Sequence, residues 1–339
     1  MTLASRPVRR IHALFAFDPS IDPTAFARSC RDWGIDTAVL HPGFFRDERM
    51  ADALRREGLA LWLNLPVFFN QEHLENHPDD YSITSLGRKA VQEWLHFVCP
   101  SRESYRAAFL RELRACLSRV RPEIVSLDFI RHFVFWEGVR LDGSPQEIED
   151  GCYCPVCLAA FAVHCGERID PATAAARVRA ELGGAWGDWK CQEISGFANQ
   201  VLDEIRALAP NARLSIKTVP WRESDLNGAI RRCAGQDVRA LTGKVDAVSP
   251  MAFTHVLRQT PDWKRSLLRH VATQTGKPVL SYVQTEKLYR REDITPAQFE
   301  AEVIEALAPE WAGALFFEHA QVAANPEKAA ILRRHLRER

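Results

Sequence analysis

No stretch of this 339-residue chain stays apolar for the roughly 20 residues that a membrane helix needs, so no membrane span is expected. Neither sign of charge is in excess: 44 lysines and arginines stand against 44 aspartates and glutamates. A nucleic-acid binder needs a basic surplus to neutralise phosphates, and that class is set aside. Basic pairs such as Arg290–Arg291 and Arg333–Arg334 read as solvated helix faces. No glycine-rich phosphate loop follows the first apolar run, which argues against an open nucleotide-binding sheet. No His-x-His follows it either, and the histidines lack ligand spacing, which argues against a metal-dependent hydrolase. A disulfide framework is missing too: the 9 cysteines are an odd number and most lie scattered. That usage suits a reducing cytoplasm. "MTLASRPVRRIHALFAF" places arginines before a short apolar stretch but offers no small-residue cleavage site, so it reads as a first strand rather than a leader.

What is present is alternation. Short apolar runs, "IHALFAF" (11–17), "IDTAVLHPGFF" (35–45), "LALWLNLPVFF" (59–69) and "EIVSLDFIRHF" (123–133), are separated by helix-period segments. "ARLSIKTVPW" (212–221), "VDAVSPMAF" (245–253), "KPVLSYVQTE" (277–286) and "AGALFFEHA" (312–320) continue the series. Asp22 and Gly34 supply a cap and a stop for the first helix, and "CQEISGFANQVLDEIRALAP" (191–210) predicts a long one before the fifth strand. Eight strand–helix units in this length predict an α/β protein with a (β/α)8 barrel. The expected organisation is a single domain over residues 1–339, with an insertion at 134–188 after strand 4.

That insertion holds "GCYCPVCLAAF" (151–161), with Cys152, Cys154 and Cys157 close together. Zinc takes four thiolate or imidazole ligands in a tetrahedron, and CxxC lets two thiolates converge on one ion. Cys152 can join because alternate residues of an extended stretch point the same way. A fourth ligand comes from elsewhere: Cys99, before the third helix, would lie near the same rim, and Cys165 is nearer in sequence but ends the helix that begins near Cys157. A CxxC redox pair is the competing reading, but nothing here resembles a thioredoxin-like unit. Four thiolates close the coordination sphere, so such a zinc is structural.

"CPSRESYR" (99–106), then a fourth strand, then "CYCPVCLAAF" (152–161) resembles the arrangement in family 42 β-galactosidases. These are (β/α)8 glycoside hydrolases with a four-cysteine zinc cluster, and the ligands so implied are Cys99, Cys152, Cys154 and Cys157. "SLDFIR" (126–131), "PNARLSIKT" (210–218) and "VDAVSPMAF" (245–253) are similar to strands of hypothetical glycosyl hydrolase-like barrel proteins. The resemblance departs at one point. Family 42 enzymes end strand 4 with Asn-Glu, whose glutamate is the acid/base, whereas this chain has Leu127-Asp128-Phe129. An aspartate closing strand 4 is instead similar to the nucleophile of several α-glycosidase and α-galactosidase barrels. The resemblance further implies a carbohydrate substrate. Family 42 enzymes are commonly homo-oligomers, although the extra domain through which they associate would not fit after residue 330.

Active sites of such barrels lie at the C-terminal ends of the strands. Most glycosidases need two carboxyl groups across the scissile bond. Asp128 is the first candidate, with Glu318 at the end of strand 8 and Glu286 at the end of strand 7 as near equals for the second. Glu137, beside Trp136, reads more as a loop residue. Arg131 and Lys217 can hold Asp128 ionised, since a nearby cation favours the carboxylate. His41, Asn64, Gln284 and His319 are candidate hydroxyl partners, and Trp221 a candidate stacking face. Two functions follow: a glycoside hydrolase acting on a glycoside or oligosaccharide, or, because the Asn-Glu pair is missing, an inactive barrel that binds carbohydrate.

Overall fold

The computed structural model describes residues 10–337. Eight parallel strands form its centre: β1 (Ile11–Phe15), β2 (Thr37–Leu40), β3 (Ala60–Pro66), β4 (Ile124–Asp128), β5 (Arg213–Thr218), β6 (Ala247–Pro250), β7 (Leu280–Gln284) and β8 (Gly313–Phe317). Each pairs with the next in sequence, and β8 returns to β1 through Ile11 opposite Gly313. The β6–β7 seam closes through one bridge, Val248 opposite Val279, where Val248 N donates to Pro278 O at 3.0 Å. The strands are apolar and buried because helices cover one face and the barrel interior the other. Gly313 is needed at the closure: a Cβ there would meet Ile11 O at 2.1 Å.

The covering helices include α1 (Pro23–Trp33), α2 (Arg49–Arg56), α3 (Glu103–Arg119), α4 (Gly183–Leu208), α5 (Val238–Thr242), α6 (Pro261–Thr275), α7 (Pro296–Ala306) and α8 (Pro326–Leu336). Asp22 caps α1 by accepting from Ala25 N at 2.7 Å, and Gly34 ends it at φ +82°. No helix among the described residues is long and apolar enough to cross a membrane.

Two expectations are corrected. α4 starts at Gly183, eight residues before Cys191 (191 − 183). Gly183, Gly184 and Gly187 weaken its signal, since glycine disfavours a helix by about 1 kcal/mol relative to alanine. Gly187 is explained by packing, with the Arg232 backbone 3.4 Å from where its Cβ would be. The strands are also shorter than their apolar runs. β4 ends at Asp128, and the chain beyond it turns its hydrogen bonds to the neighbouring loop: Phe129 O accepts from Phe68 N at 3.3 Å.

The β3–α3 loop and the β4–α4 insertion are zipped together outside the barrel. Thr84 bridges Gly151, Tyr153 N donates to Ile83 O at 2.7 Å and Ser85 N to Asp150 O at 2.7 Å. Lys190 of α4 anchors this layer through Asp150 at 2.5 Å, both fully or nearly buried.

Candidate active site

Side chains alternate along a strand, so Ser126 and Asp128 of β4 share one face with Asn64 of β3 and Lys217 of β5. These four form one hydrogen-bonded unit. Lys217 Nζ donates to Asn64 Oδ1 at 2.6 Å and to Asp128 Oδ2 at 3.0 Å. Ser126 Oγ donates to Asn64 Oδ1 at 2.8 Å, and Asn64 Nδ2 to Asp128 Oδ2 at 3.1 Å. Lysine can only donate, which fixes the orientation of the Asn64 amide. Phe129 N supplies a third donor to Asp128, at Oδ1 and 2.8 Å. A carboxylate has about four lone-pair sites, so one on Oδ1 stays free for a ligand. Lys217 is fully buried over the Phe15 ring at 4.1 Å; burial lowers its ammonium pKa while Asp128 opposes that shift.

Above this unit opens a cleft of about 300 Å³ at the C-terminal mouth of the barrel. His41, Asn64, Asp128 and Lys217 line it, as does Met251 from β6–α6. Most of the remaining wall is aromatic: Phe17, Phe69, Trp94, Trp136, Phe253 and Tyr282 among others. Glu137 also lines it, next to Trp136 in a short turn of the β4–α4 insertion. Its Oε2 is shut off from solvent without a protein partner, as is the Trp136 Nε1. Burial pushes the Glu137 carboxyl up to about 7, against the pull of Arg131 and with a smaller push from Asp128.

Other expected residues stand elsewhere. Glu286 and Glu318 are not among the residues lining this cleft; they sit together on the β7–β8 rim, where burial raises both carboxyls. Arg131 does not touch Asp128. It donates to the carbonyls of His132 (3.2 Å) and Val134 (2.9 Å), is fully buried against Phe97 at 4.7 Å, and burial lowers it to about 10. Gln284 is buried inside the wall, accepting from Val256 N at 3.1 Å and donating to Glu286 O at 2.6 Å, and does not line the cleft. His319 lies between Trp33 (5.3 Å) and Phe26 (5.0 Å), and burial lowers it to about 4. Trp221 is buried in the core. His41 lines the cleft, but both ring nitrogens are engaged. Gly43 N donates to Nδ1 at 3.1 Å, which leaves Nε2 as the donor to Phe17 O at 3.1 Å.

Glu137 carried a weak sequence signal because it follows no strand. The usable hint was aromatic density where a surface loop is normally polar, in "FVFWEG" (133–138). Trp94 escaped for the same reason, whereas Phe17 was hidden in the apolar run of the first strand.

The second cluster lies in the zipped layer. Cys99, Cys152, Cys154 and Cys157 are all buried, with their sulfurs within 4.8 Å of one another. Cys99 Sγ is 3.4 Å from both Cys154 and Cys157. A tetrahedral metal with 2.3 Å thiolate bonds sets its sulfurs about 3.8 Å apart, so the site fits one ion. Cys165 ends its helix with Sγ toward Ala162 O and stays outside the cluster.

No protein-family profile matches the sequence, and no curated protein does. Solved structures do match in fold. The PgaB (BpsB) glycoside hydrolase domain from Bordetella bronchiseptica superposes with a TM-score of 0.69 at 14% identity, over 96% of this chain and 98% of that one. A β-galactosidase from the psychrophilic Marinomonas ef1 gives 0.71 at 12%, over 97% of this chain and 59% of its own. An alpha-L-fucosidase isoenzyme 2 from Paenibacillus thiaminolyticus gives 0.63 at 12%, over 98% and 49%. The chain thus spans 59% and 49% of the last two. At these identities the likeness defines the fold alone, a (β/α)8 barrel.

Proposed function

We propose that this chain is a glycoside hydrolase acting on a glycoside or oligosaccharide, with Asp128 and Glu137 as its carboxyl pair. The observation that carries the reading is that the cleft at the barrel mouth presents two carboxyl groups in unlike surroundings. Asp128 is gripped by three donors, one of them the Lys217 ammonium. Glu137 is half-buried, its Oε2 is shut off from solvent without a hydrogen-bond partner, and its carboxyl is raised to about 7. Two carboxyl groups in surroundings this unlike are suited to divide the labour of acid and base. Glu137 holds a proton below about pH 7 and donates it to the glycosidic oxygen as the bond breaks. Asp128 presents its free lone pair to the anomeric centre, as nucleophile or as base toward a water. Asn64 and Lys217 fix the position of Asp128, and the aromatic wall excludes water and stacks on sugar faces.

The four cysteines would hold a structural zinc. The ion would tie together the loop carrying Trp94 and the insertion carrying Trp136 and Glu137, and it takes no part in the reaction. Elemental analysis of the purified protein is expected to give one zinc per chain, and Cys152→Ser to lose it with a lower melting temperature. A metal-free wild type of unchanged stability would exclude this role.

Hydrolysis of α- and β-nitrophenyl glycosides tests the catalytic reading. Asp128→Asn is expected to abolish turnover of the cleaved member, while Glu286→Gln and Glu318→Gln keep it. Turnover that survives Asp128→Asn and disappears with Glu318→Gln would move the reaction to the β7–β8 rim. A barrel that binds sugars without cleaving any would be the inactive carbohydrate binder.

A further inference from the structure

The polar groups of the cleft are largely spent on one another. Asn64 Oδ1 has two donors, Lys217 bonds Asn64 and Asp128, and both His41 nitrogens are engaged. What remains free is one lone pair of Asp128, the third N–H of Lys217, the second N–H of Asn64 Nδ2, the Glu137 Oε2, the Trp136 Nε1 and the Tyr289 Oη. That inventory serves a single sugar ring and its glycosidic oxygen. Few of these groups are left over for the hydroxyls of a second ring, which would lose water without finding a partner.

The rest of the cleft is apolar and reaches the surface in two aromatic faces. Trp94 is 47% exposed and Phe17 41% exposed, and both line the cleft. They are the aromatic members among the large exposed hydrophobics of the described residues. Phe17 is braced by Phe15 at 5.9 Å and Phe317 at 5.1 Å, and Trp94 by Phe69 at 5.6 Å and Phe129 at 6.4 Å. Trp94 stands between the two short strands of a β3–α3 hairpin, Val91–Gln92 and Leu95–His96. Large aromatics held in place yet open to solvent mark a binding surface, since a ligand that covers them removes apolar area from water. The cleft volume of about 300 Å³ is at the small end for ligand sites and leaves little room for a long chain.

We propose that the cleft selects small glycosides with an aromatic aglycone, seated against Trp94 and Phe17, over oligosaccharides. This rests on the glycoside hydrolase reading and narrows its substrate class.

The test is calorimetric titration of the wild-type protein with uncleavable S-linked ligands. For each of glucose, galactose, fucose and N-acetylglucosamine in both anomers, the probes are the phenyl thioglycoside, the methyl thioglycoside and an S-linked disaccharide. The phenyl compound of the accepted sugar is expected to bind about tenfold more tightly than the methyl compound and the disaccharide, as one well-packed aromatic contact allows. Trp94→Ala is expected to bring the phenyl-to-methyl ratio within about twofold, and Trp94→Phe to restore most of it, which a general loss of structure would not do. Equal binding of phenyl and methyl compounds, or tighter binding of the disaccharide, overturns the aglycone preference and leaves the hydrolase reading standing. Failure of every glycoside to bind overturns both.

Discussion

Two buried lysine–carboxylate sites lie on either side of strand β7, and they differ in what they face. On the outside, Lys264 of α6 donates to Tyr282 O at 2.5 Å and to Glu302 of α7 at 2.7 Å, and pairs with Glu305 at 3.0 Å. The two glutamates take further donors, Thr254 Oγ1 to Glu302 at 2.7 Å, and Ser281 Oγ (3.1 Å) and Trp311 Nε1 (2.9 Å) to Glu305, and neither glutamate lines the cleft. Three donors of one lysine meet three acceptors in a sealed layer. On the inside, where the Tyr282 ring lines the cleft, Lys217 meets two acceptors and Asp128 three donors, and the positions left open on both, with the unpartnered Glu137 Oε2, border a cavity. An ion pair sealed away from any cavity marks a fastening. Incomplete saturation beside a cavity marks a place for a ligand.

The sharpest way to break the comparison is to remove one carboxylate from the inner site and the lysine from the outer. Asp128→Asn is expected to lower kcat/KM at least about a thousandfold, roughly 4 kcal/mol of transition-state stabilisation, with a small change in urea midpoint. Lys264→Met is expected to cost about 3–5 kcal/mol of stability, because two buried carboxylates lose their cation. Urea unfolding and activity of the still-folded fraction, which should be near wild type, check both halves. Lys217→Met is intermediate: the Asp128 left behind faces the cleft and recovers water, so about 1–3 kcal/mol of stability is lost, together with most of the turnover. Equal stability losses at Lys217 and Lys264 would erase the distinction.

The smallest expected effect concerns Glu137 and stability. Its carboxyl rises from 4.5 to about 7 on folding, so the folded state holds a proton that the unfolded state has released between those values. Stability from this group is full below about pH 4.5 and is lost as pH rises toward 7. Glu137→Gln is expected to flatten the pH dependence of the urea midpoint across that window. An unchanged slope would mean that the carboxyl is not desolvated.

The barrel was readable because alternation of apolar runs and helical periods is a global signal, and the β4 and β5 runs placed Asp128 and Lys217 near the rim. The cysteine cluster was readable from local spacing, with Cys99 added from a distant part of the chain. Glu137 was not, because its position depends on how a long insertion folds back over the mouth. The same limit explains Gln284 and His319: each follows or ends an apolar run as a rim residue would, but one is bound inside the wall and the other is stacked behind β8 on α1. A strand end fixes how far up the barrel a residue lies; the facing of its side chain depends on loops the periodicity does not describe.

The most direct measurement is the pH dependence of kcat/KM on the best glycoside, for wild type and Glu137→Gln. If Glu137 is the proton donor, the wild-type rate falls as pH rises through about 7, and the variant loses that limb along with most of its activity. A variant that keeps both the wild-type rate and the same basic limb would contradict the assignment of the carboxyl pair.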